Sequence, residues 1–152
     1  MFKRILVPLD GSSTAEEAIP HAITFANISE AKLVLLRILE PFPPVRSMSP
    51  AELKKVKQRA REWAEDYFER ISIDLQKQGI SHEMEILEGR ASVMIEKFAE
   101  ESDIDLIVLA SRGHTGLTRW LMGSVADRVI RGATVPVLLV PTKASNESST
   151  IV

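Results

Sequence analysis

The sequence contains no cysteine. This absence excludes disulfide bonds, thiol catalysis, zinc–thiolate sites and iron–sulfur clusters. The sequence also has no uninterrupted apolar run near the roughly 18 to 20 residues that a membrane-spanning helix needs. The apolar stretch 5–9 is too short for the core of a signal peptide, and no small-residue cleavage site follows it. We therefore expect a cytoplasmic protein with no membrane partner.

Neither sign of charge is in large excess, since 19 Lys and Arg stand against 21 Asp and Glu, for a net charge of −2. Such a chain lacks the field that attracts nucleic acid, so we expect no nucleic-acid partner. With 152 residues, of which 45% are hydrophobic and 26% charged, it has the size and composition of one globular domain. We assign that domain to residues 1–142 and predict a disordered polar tail over 143–152.

What the sequence does contain is an alternation of short apolar runs with longer segments of helical periodicity, which predicts an α/β fold. Five strands are predicted, over residues 2–9, 31–39, 81–87, 106–110 and 136–140. Four helices are predicted between them, over residues 13–28, 50–79, 92–102 and 124–132. Strands separated by helices pair in parallel, and the polar and apolar alternation of 81–87 predicts an edge strand.

Local signals predict how the helices begin. Ser13 with Glu16 has the pattern of a capping box, and Pro20 should bend the helix that follows. Ser49, Pro50 and Glu52 give an N-cap, a proline in the first turn and a second capping box. The long helix after them should bury a stripe of apolar residues: Leu53, Val56, Ala60, Trp63, Tyr67, Ile71 and Leu75.

Two of the predicted strand ends carry residues suited to a ligand. Parallel α/β sheets bind ligands beyond the carboxyl ends of their strands, where the strand order reverses. Asp10, Gly11 and Ser12 follow the first strand, and a glycine-bearing loop with Arg112 leads from the fourth strand to Gly123 and Ser124. A loop of this kind, ending at a helix N-terminus, favours a phosphate.

Other ligand signatures are missing or weak. Neither the dinucleotide-binding pattern G-x-G-x-x-G nor the P-loop pattern G-x-x-x-x-G-K-[ST] occurs, which disfavours dehydrogenases and P-loop NTPases. The three histidines, His21, His82 and His114, show no metal-ligand spacing, so no metal site is predicted from them. Ser124 with Asp127 also has the pattern of a capping box, which is compatible with phosphate binding at the same helix end.

At these residues the chain resembles the universal stress proteins, over about residues 2–141. The resemblance rests on the opening strand and turn 5–12, on Gly89-Arg90-Ala91, and on the run 105–140. Members of that family that bind ATP carry G-x-x-G, nine residues, then G-[ST]. Here Gly113, the nine residues 114–122 and Gly123-Ser124 match this motif, whereas Ala110 stands in place of the first glycine.

The resemblance implies a five-stranded parallel sheet of order 3-2-1-4-5, with four helices distributed over both faces. ATP, together with Mg²⁺, would lie across the ends of strands one and four. Asp10 would bind the ribose hydroxyls. The adenine would be framed by Pro8, Leu9 and Ile38, and the phosphates would be held by Ser12, Gly113, Gly123 and Ser124. Ala110 and Arg112 belong to the same binding loop.

The same resemblance implies an ATP-binding regulatory protein that forms a homodimer. Two alternatives stay open, a slow ATPase and a nucleotide-free dimeric interaction scaffold. The dimer would form through the apolar last strand, between Val135 and Val140, because an unprotected sheet edge tends to pair with another chain. No protein partner, pathway or stress can be named from these residues.

Overall fold

The computed structural model describes residues 1–41, 47–111 and 123–142. Its elements, in chain order, are β1 Arg4–Pro8, α1 Ser13–Glu16, α2 Ala18–Ser29, β2 Lys32–Leu39, α3 Pro50–Lys77, β3 His82–Glu88, α4 Ala91–Glu101, β4 Leu106–Ala110, α5 Ser124–Gly132 and β5 Val137–Val140. Of the helices in these ranges, none combines the length and apolar character required to cross a bilayer.

The five strands form one parallel sheet in the order β3-β2-β1-β4-β5, as predicted. In the centre, Leu6 of β1 lies opposite Val34 of β2 on one side and Ile107 of β4 on the other. The chain moves outward from β1 to β2 and β3 and then crosses back to β4 and β5. The strand order therefore reverses between β1 and β4, which opens a crevice at their carboxyl ends.

Both faces of the sheet are covered, and each face has its own apolar core. Alternate residues of β1 point to opposite faces, so Ile5 and Val7 pack with α2 and α3 while Leu6 packs with α4 and α5. The near-continuous apolar sequences of β1, β2 and β4 follow from this burial on two faces. At the sheet edge, β3 alternates less regularly and is only partly buried, which confirms its edge position.

The first predicted helix is divided into two, and its predicted N-cap is wrong by one residue. Ser12, not Ser13, caps α1, because the Ser12 hydroxyl accepts a hydrogen bond from Ala15 N at 3.1 Å. The break falls at Glu17 between α1 and α2. Pro20 explains it, since proline has no N–H to donate to the carbonyl four residues earlier and its ring crowds that carbonyl.

The beginning of α3 is confirmed, but the first four residues of its predicted apolar stripe, Leu53, Val56, Ala60 and Trp63, are not buried. Ser49 and Glu52 form the reciprocal capping box, with Glu52 Oε2 accepting from Ser49 N at 2.7 Å. The first three turns of α3 are largely exposed, and Trp63 is 63% exposed rather than buried. Burial begins at Ala64, because only the second half of α3 lies over the sheet.

The remaining boundaries lie within two residues of prediction, including those of β1, which begins at Arg4 rather than Phe2. Three ranges lie outside the described residues: 42–46, 112–122, which makes up most of the glycine-bearing segment of the sequence, and 143–152. The prediction of a disordered tail therefore stays a prediction.

Candidate functional site

A cavity of about 380 Å³ occupies the crevice at the carboxyl ends of β1 and β4. Its size lies within the range of small-molecule sites. Eight of the ten residues predicted for the nucleotide site line it: Pro8, Leu9, Asp10, Ser12, Ile38, Ala110, Gly123 and Ser124. The other two, Arg112 and Gly113, lie outside the described residues.

The turn after β1 is ordered by its own polar side chains. Asp10 Oδ1 accepts hydrogen bonds from Ser12 N at 2.9 Å and from Ser12 Oγ at 2.5 Å. The Ser12 hydroxyl therefore donates to Asp10 while accepting from Ala15 N, and its orientation is fixed at both ends. This arrangement presents a carboxylate and a hydroxyl to the cavity in a defined position.

Gly11 occupies the bend of this turn with φ of +88°, a conformation that side chains rarely adopt. A Cβ at this position would lie 3.2 Å from Cζ3 of Trp63 and 3.8 Å from Nη1 of Arg37. The turn thus has the cavity on one side and an indole ring from α3 on the other. Trp63, expected in the core, instead packs against the turn of the candidate site.

Behind the turn, the only tyrosine of the chain is buried under charged residues. The guanidinium of Arg70 lies 5.3 Å from the centre of the Tyr67 ring, and its Nη2 atom is 3.4 Å from Glu16 Oε1. Burial raises the pKa of Tyr67 well above its ordinary value, and the nearby carboxylates of Glu16 and Asp10 raise it further. The phenol therefore stays neutral at physiological pH.

The alanine that departs from the family motif, Ala110, is the last residue of β4 and borders the cavity. Its side chain also packs against the apolar cluster on the α2 and α3 face of the sheet. Just beyond it, Ser111 N donates to Val140 O at 2.8 Å, and the hydroxyl of Thr142 donates to Ser111 O. These bonds hold Ser111 in place at the end of β4.

The N-terminus of α5 faces the cavity through Gly123, Ser124 and Val125. The predicted capping box of Ser124 with Asp127 is wrong, because Gly123 is the N-cap and makes no side-chain cap hydrogen bond. Ser124 is already the first helical residue, so its hydroxyl is exposed beside the helix end. The N–H groups of a first helical turn have no partner within the helix and, with the helix dipole, favour an anion.

The sequence reasoning missed the residues that the cavity draws from helices α1 and α4 and from the strand interiors. Examples are Ala91 and Ile95, one turn apart on α4, whose i and i+4 spacing places them on one face of that helix. Leu36 shares a face of β2 with Ile38, two residues on. The Ala91 N–H itself is occupied, since it donates to Glu40 Oε1 at 3.1 Å.

Within residues 1–41, 47–111 and 123–142, no group of three or more His, Asp or Glu side chains could hold a metal ion. Asp10 is the one carboxylate that lines the cavity in those ranges. A metal ion held there by protein groups alone would lack ligands, whereas Mg²⁺ usually enters such sites on substrate phosphates.

Comparison with known proteins gives a consistent result. The model of the universal stress protein family matches residues 1–141. Universal stress protein MJ0531 of Methanocaldococcus jannaschii is 34% identical over 140 residues, which cover 92% of this chain and 82% of that protein. The solved structure of MJ0577 is 33% identical, with a TM-score of 0.79 over 95% of this chain and 99% of its own.

Two further structural neighbours contain nucleotides. One is a universal stress protein in complex with cAMP, 23% identical, with a TM-score of 0.69 over 93% of this chain and 98% of its own. The other is a universal stress protein family protein from Arabidopsis thaliana with AMP bound, 18% identical, with a TM-score of 0.69 over 97% of both chains. At these identities the likeness shows a shared fold.

Proposed function

The chain belongs to the universal stress protein family, and from this membership we propose that it is a dimeric regulatory protein that binds ATP in the cavity between β1 and β4. The adenine nucleotides named in two structural neighbours support this ligand class. The observation that carries the proposal is the convergence of eight predicted site residues, from four separate segments of the chain, on one cavity.

The lining of the cavity suits the parts of a nucleotide. Pro8, Leu9 and Ile38 supply apolar surface for the adenine ring. The Asp10 carboxylate is an acceptor for the ribose hydroxyls, by the same chemistry that acidic residues use in dinucleotide-binding folds. The N-terminus of α5, with the Ser124 hydroxyl beside it, provides donors for phosphate oxygens. Mg²⁺ would enter on the phosphates.

The dimer is proposed to form through β5. Ile107 N donates to Pro136 O and Ser111 N donates to Val140 O, so alternate residues of β5 direct their backbone groups toward β4. Val137 and Leu139, which lie between them, direct theirs to the open edge. Pairing two copies of β5 across a two-fold axis would satisfy these groups. Light scattering at micromolar concentration should give twice the monomer mass, and a monomer would contradict the dimer.

Nucleotide binding is tested by denaturing freshly purified protein and identifying any released nucleotide by chromatography and mass. The nucleotide-stripped protein is then titrated with ATP and Mg²⁺. Ser124→Ala should weaken ATP binding about 10- to 100-fold, because a hydrogen bond to a charged group contributes roughly 1.5 to 3 kcal/mol. Ser13→Ala is the matched control, since Ser13 is an exposed serine at a helix start but does not line the cavity.

The outcomes separate the alternatives. ATP binding that depends on Ser124, without turnover, supports the regulatory module. Phosphate release from ATP by the wild-type protein, but not by the Asp10→Asn variant, would favour the slow ATPase, because hydrolysis needs a group that orients water. A dimer that binds no nucleotide at all would favour the interaction scaffold and would refute the proposed ligand.

A further inference from the structure

The edge strand β3 directs a row of backbone groups away from the rest of the described sheet. Leu33 N donates to Ser81 O at 2.9 Å, and Gly89 N donates to Leu39 O at 3.0 Å, so odd-numbered residues of this segment face β2. In a parallel ladder the residues between them direct their N–H and C=O groups to the other side. His82, Met84, Ile86 and Glu88 therefore face an edge that no other described strand covers.

A groove of about 480 Å³ lies beside this edge, between β3 and the outer side of α3. Its apolar lining includes Met84, which is 40% exposed, and Ile73, which is 46% exposed. Ile86 and Phe68 complete the apolar floor. Apolar side chains of this size exposed together, next to an open strand edge, are features of surfaces that accept an added strand.

The groove is preformed, because a histidine links its two walls. Ser72 Oγ of α3 lies 2.7 Å from His82 Nε2, and His82 Nδ1 lies 2.8 Å from Ile80 O. The carbonyl can only accept, so Nδ1 carries the proton and, in the neutral ring, Nε2 accepts from the Ser72 hydroxyl. This chain of bonds holds the start of β3 against α3.

Several glutamates lie around the edge, and two of them are in ion pairs. Glu83 is already paired with Arg4 and Lys32, and Glu65 is paired with Arg61 at 3.4 Å. Glu69 on α3 and Glu85 on β3 are exposed, and neither has an ion-pair partner in the described part of the chain. Glu69 borders the groove, whereas Glu85 lies on the opposite face of the strand.

From this arrangement we propose that β3 binds a basic, extended segment of another protein, which adds to the sheet as a sixth strand. Apolar side chains of the segment enter the groove beside Met84 and Ile73. Basic side chains at the alternate positions reach Glu85 on the other face, and a basic residue at the end of the segment reaches Glu69. A second copy of β3 fits less well, because pairing the two strands would bring Glu83, Glu85 and Glu88 close to the glutamates of the other copy.

The test uses three fluorescently labelled seven-residue peptides and measures binding by anisotropy. The first alternates Val and Lys, the second has the same composition with its valines grouped together, and the third alternates Val and Glu. The proposal predicts binding of the alternating Val/Lys peptide only. If the grouped peptide binds equally well, charge attraction alone explains the binding, and the proposal of an added strand is refuted. Absence of binding by all three would also overturn it.

Two variants locate the binding. Met84→Pro removes an outward N–H without removing a bond to β2, and it should weaken the alternating peptide about 2- to 10-fold. The double variant Glu69→Gln/Glu85→Gln, which leaves the backbone unchanged, should weaken it about 2- to 30-fold. The control Glu17→Gln/Glu100→Gln makes the same charge change at exposed residues elsewhere.

Unchanged peptide binding by the glutamate double variant would place the peptide elsewhere and refute the proposal, even if Met84→Pro fails to fold. Nucleotide binding is independent of this surface, because none of the residues that line the groove lines the cavity. If the peptides do not bind, the ATP proposal is therefore unaffected. If ATP does not bind, the proposal of strand addition at β3 is likewise unaffected.

Discussion

The indole ring of Trp63 lies over Gly11, so close that a Cβ on the glycine would be 3.2 Å from Cζ3 of the ring. The contact joins the exposed half of α3 to the turn that carries Asp10 and Ser12. Because the indole ring packs against this turn, the turn has little freedom to adopt another backbone conformation.

Gly11→Ala should lower both stability and nucleotide affinity. The positive φ alone costs about 1 to 2 kcal/mol for a residue with a Cβ, and the contact with Trp63 adds to it. Gly79→Ala is the matched control, because Gly79 has φ of +71° but nothing within 4 Å of an added Cβ. Urea denaturation should show a loss in both variants, whereas an ATP titration should show weaker binding only in Gly11→Ala. Equal affinities would show that the turn does not contribute to binding.

Tyr67 should ionise only at strongly alkaline pH. Burial raises its pKa above the ordinary value of 10.0, so the unfolded chain loses this proton at a lower pH than the folded one. Stability from this group is thus complete below about pH 10 and declines as the pH rises further. Because the chain has a single tyrosine, tyrosinate absorbance reports on this residue alone.

In an alkaline titration of the native protein, the tyrosinate signal should appear together with unfolding. Tyr67→Phe should remove the tyrosine contribution to the alkaline loss of stability while changing stability at neutral pH by less than about 1 kcal/mol. A phenolate that forms near pH 10 in the folded protein would contradict this prediction.

Ala110→Gly restores the family motif, and we expect it to cost stability without improving affinity. Removing the methyl group takes away its contact with the apolar cluster and adds backbone freedom in a strand, about 1 to 2 kcal/mol together. ATP affinity should stay within about threefold, since the methyl group already has a place in the core. An increase of tenfold or more would show that Ala110 obstructs the nucleotide.

Asp105 should stabilise the protein except at acid pH. Its Oδ2 atom accepts hydrogen bonds from Lys3 N at 2.7 Å and Arg4 N at 2.9 Å, and these hold the pKa of Asp105 below its ordinary value of 3.8. The stabilisation is present above about pH 4 and is lost as the pH falls further. Asp105→Asn should cost about 1 kcal/mol at pH 7, compared with little change for the exposed control Asp66→Asn.

A stability difference between wild type and Asp105→Asn that does not shrink on acidification would contradict the assigned cause.

The elements that the sequence predicted well are those whose signals are local. Ser49, Pro50 and Glu52 lie within one turn, and the structure confirms the capping box that they predict. The N-cap of α1 was predicted at Ser13 because Glu16 follows three residues later, whereas the structure places the N-cap at Ser12. What decides for Ser12 is its bond to Asp10, a contact that the capping pattern does not contain.

The exposure of Trp63 could not be predicted from helical periodicity, because it depends on how far α3 extends beyond the sheet. Its spacing belongs to the apolar stripe of α3, but how far the helix extends beyond the sheet is set by the lengths of β2 and β3. For the candidate site, the sequence predicted which segments meet at the cavity, because the strand ends and the motif of the family lie in those segments. The contributions of Ala91 and Ile95 required knowing how α4 packs.

Ser111 and Thr142 connect two surfaces that the proposals treat separately. Ser111 follows β4, which borders the cavity, and Thr142 follows the strand proposed for the dimer. Thr142 donates hydrogen bonds to Ser111 from both its backbone N–H and its hydroxyl. If ATP changes the affinity of one subunit for the other by some factor, dimerisation changes the affinity for ATP by the same factor, by thermodynamic linkage. Measuring nucleotide affinity across protein concentrations would read the strength of that linkage directly.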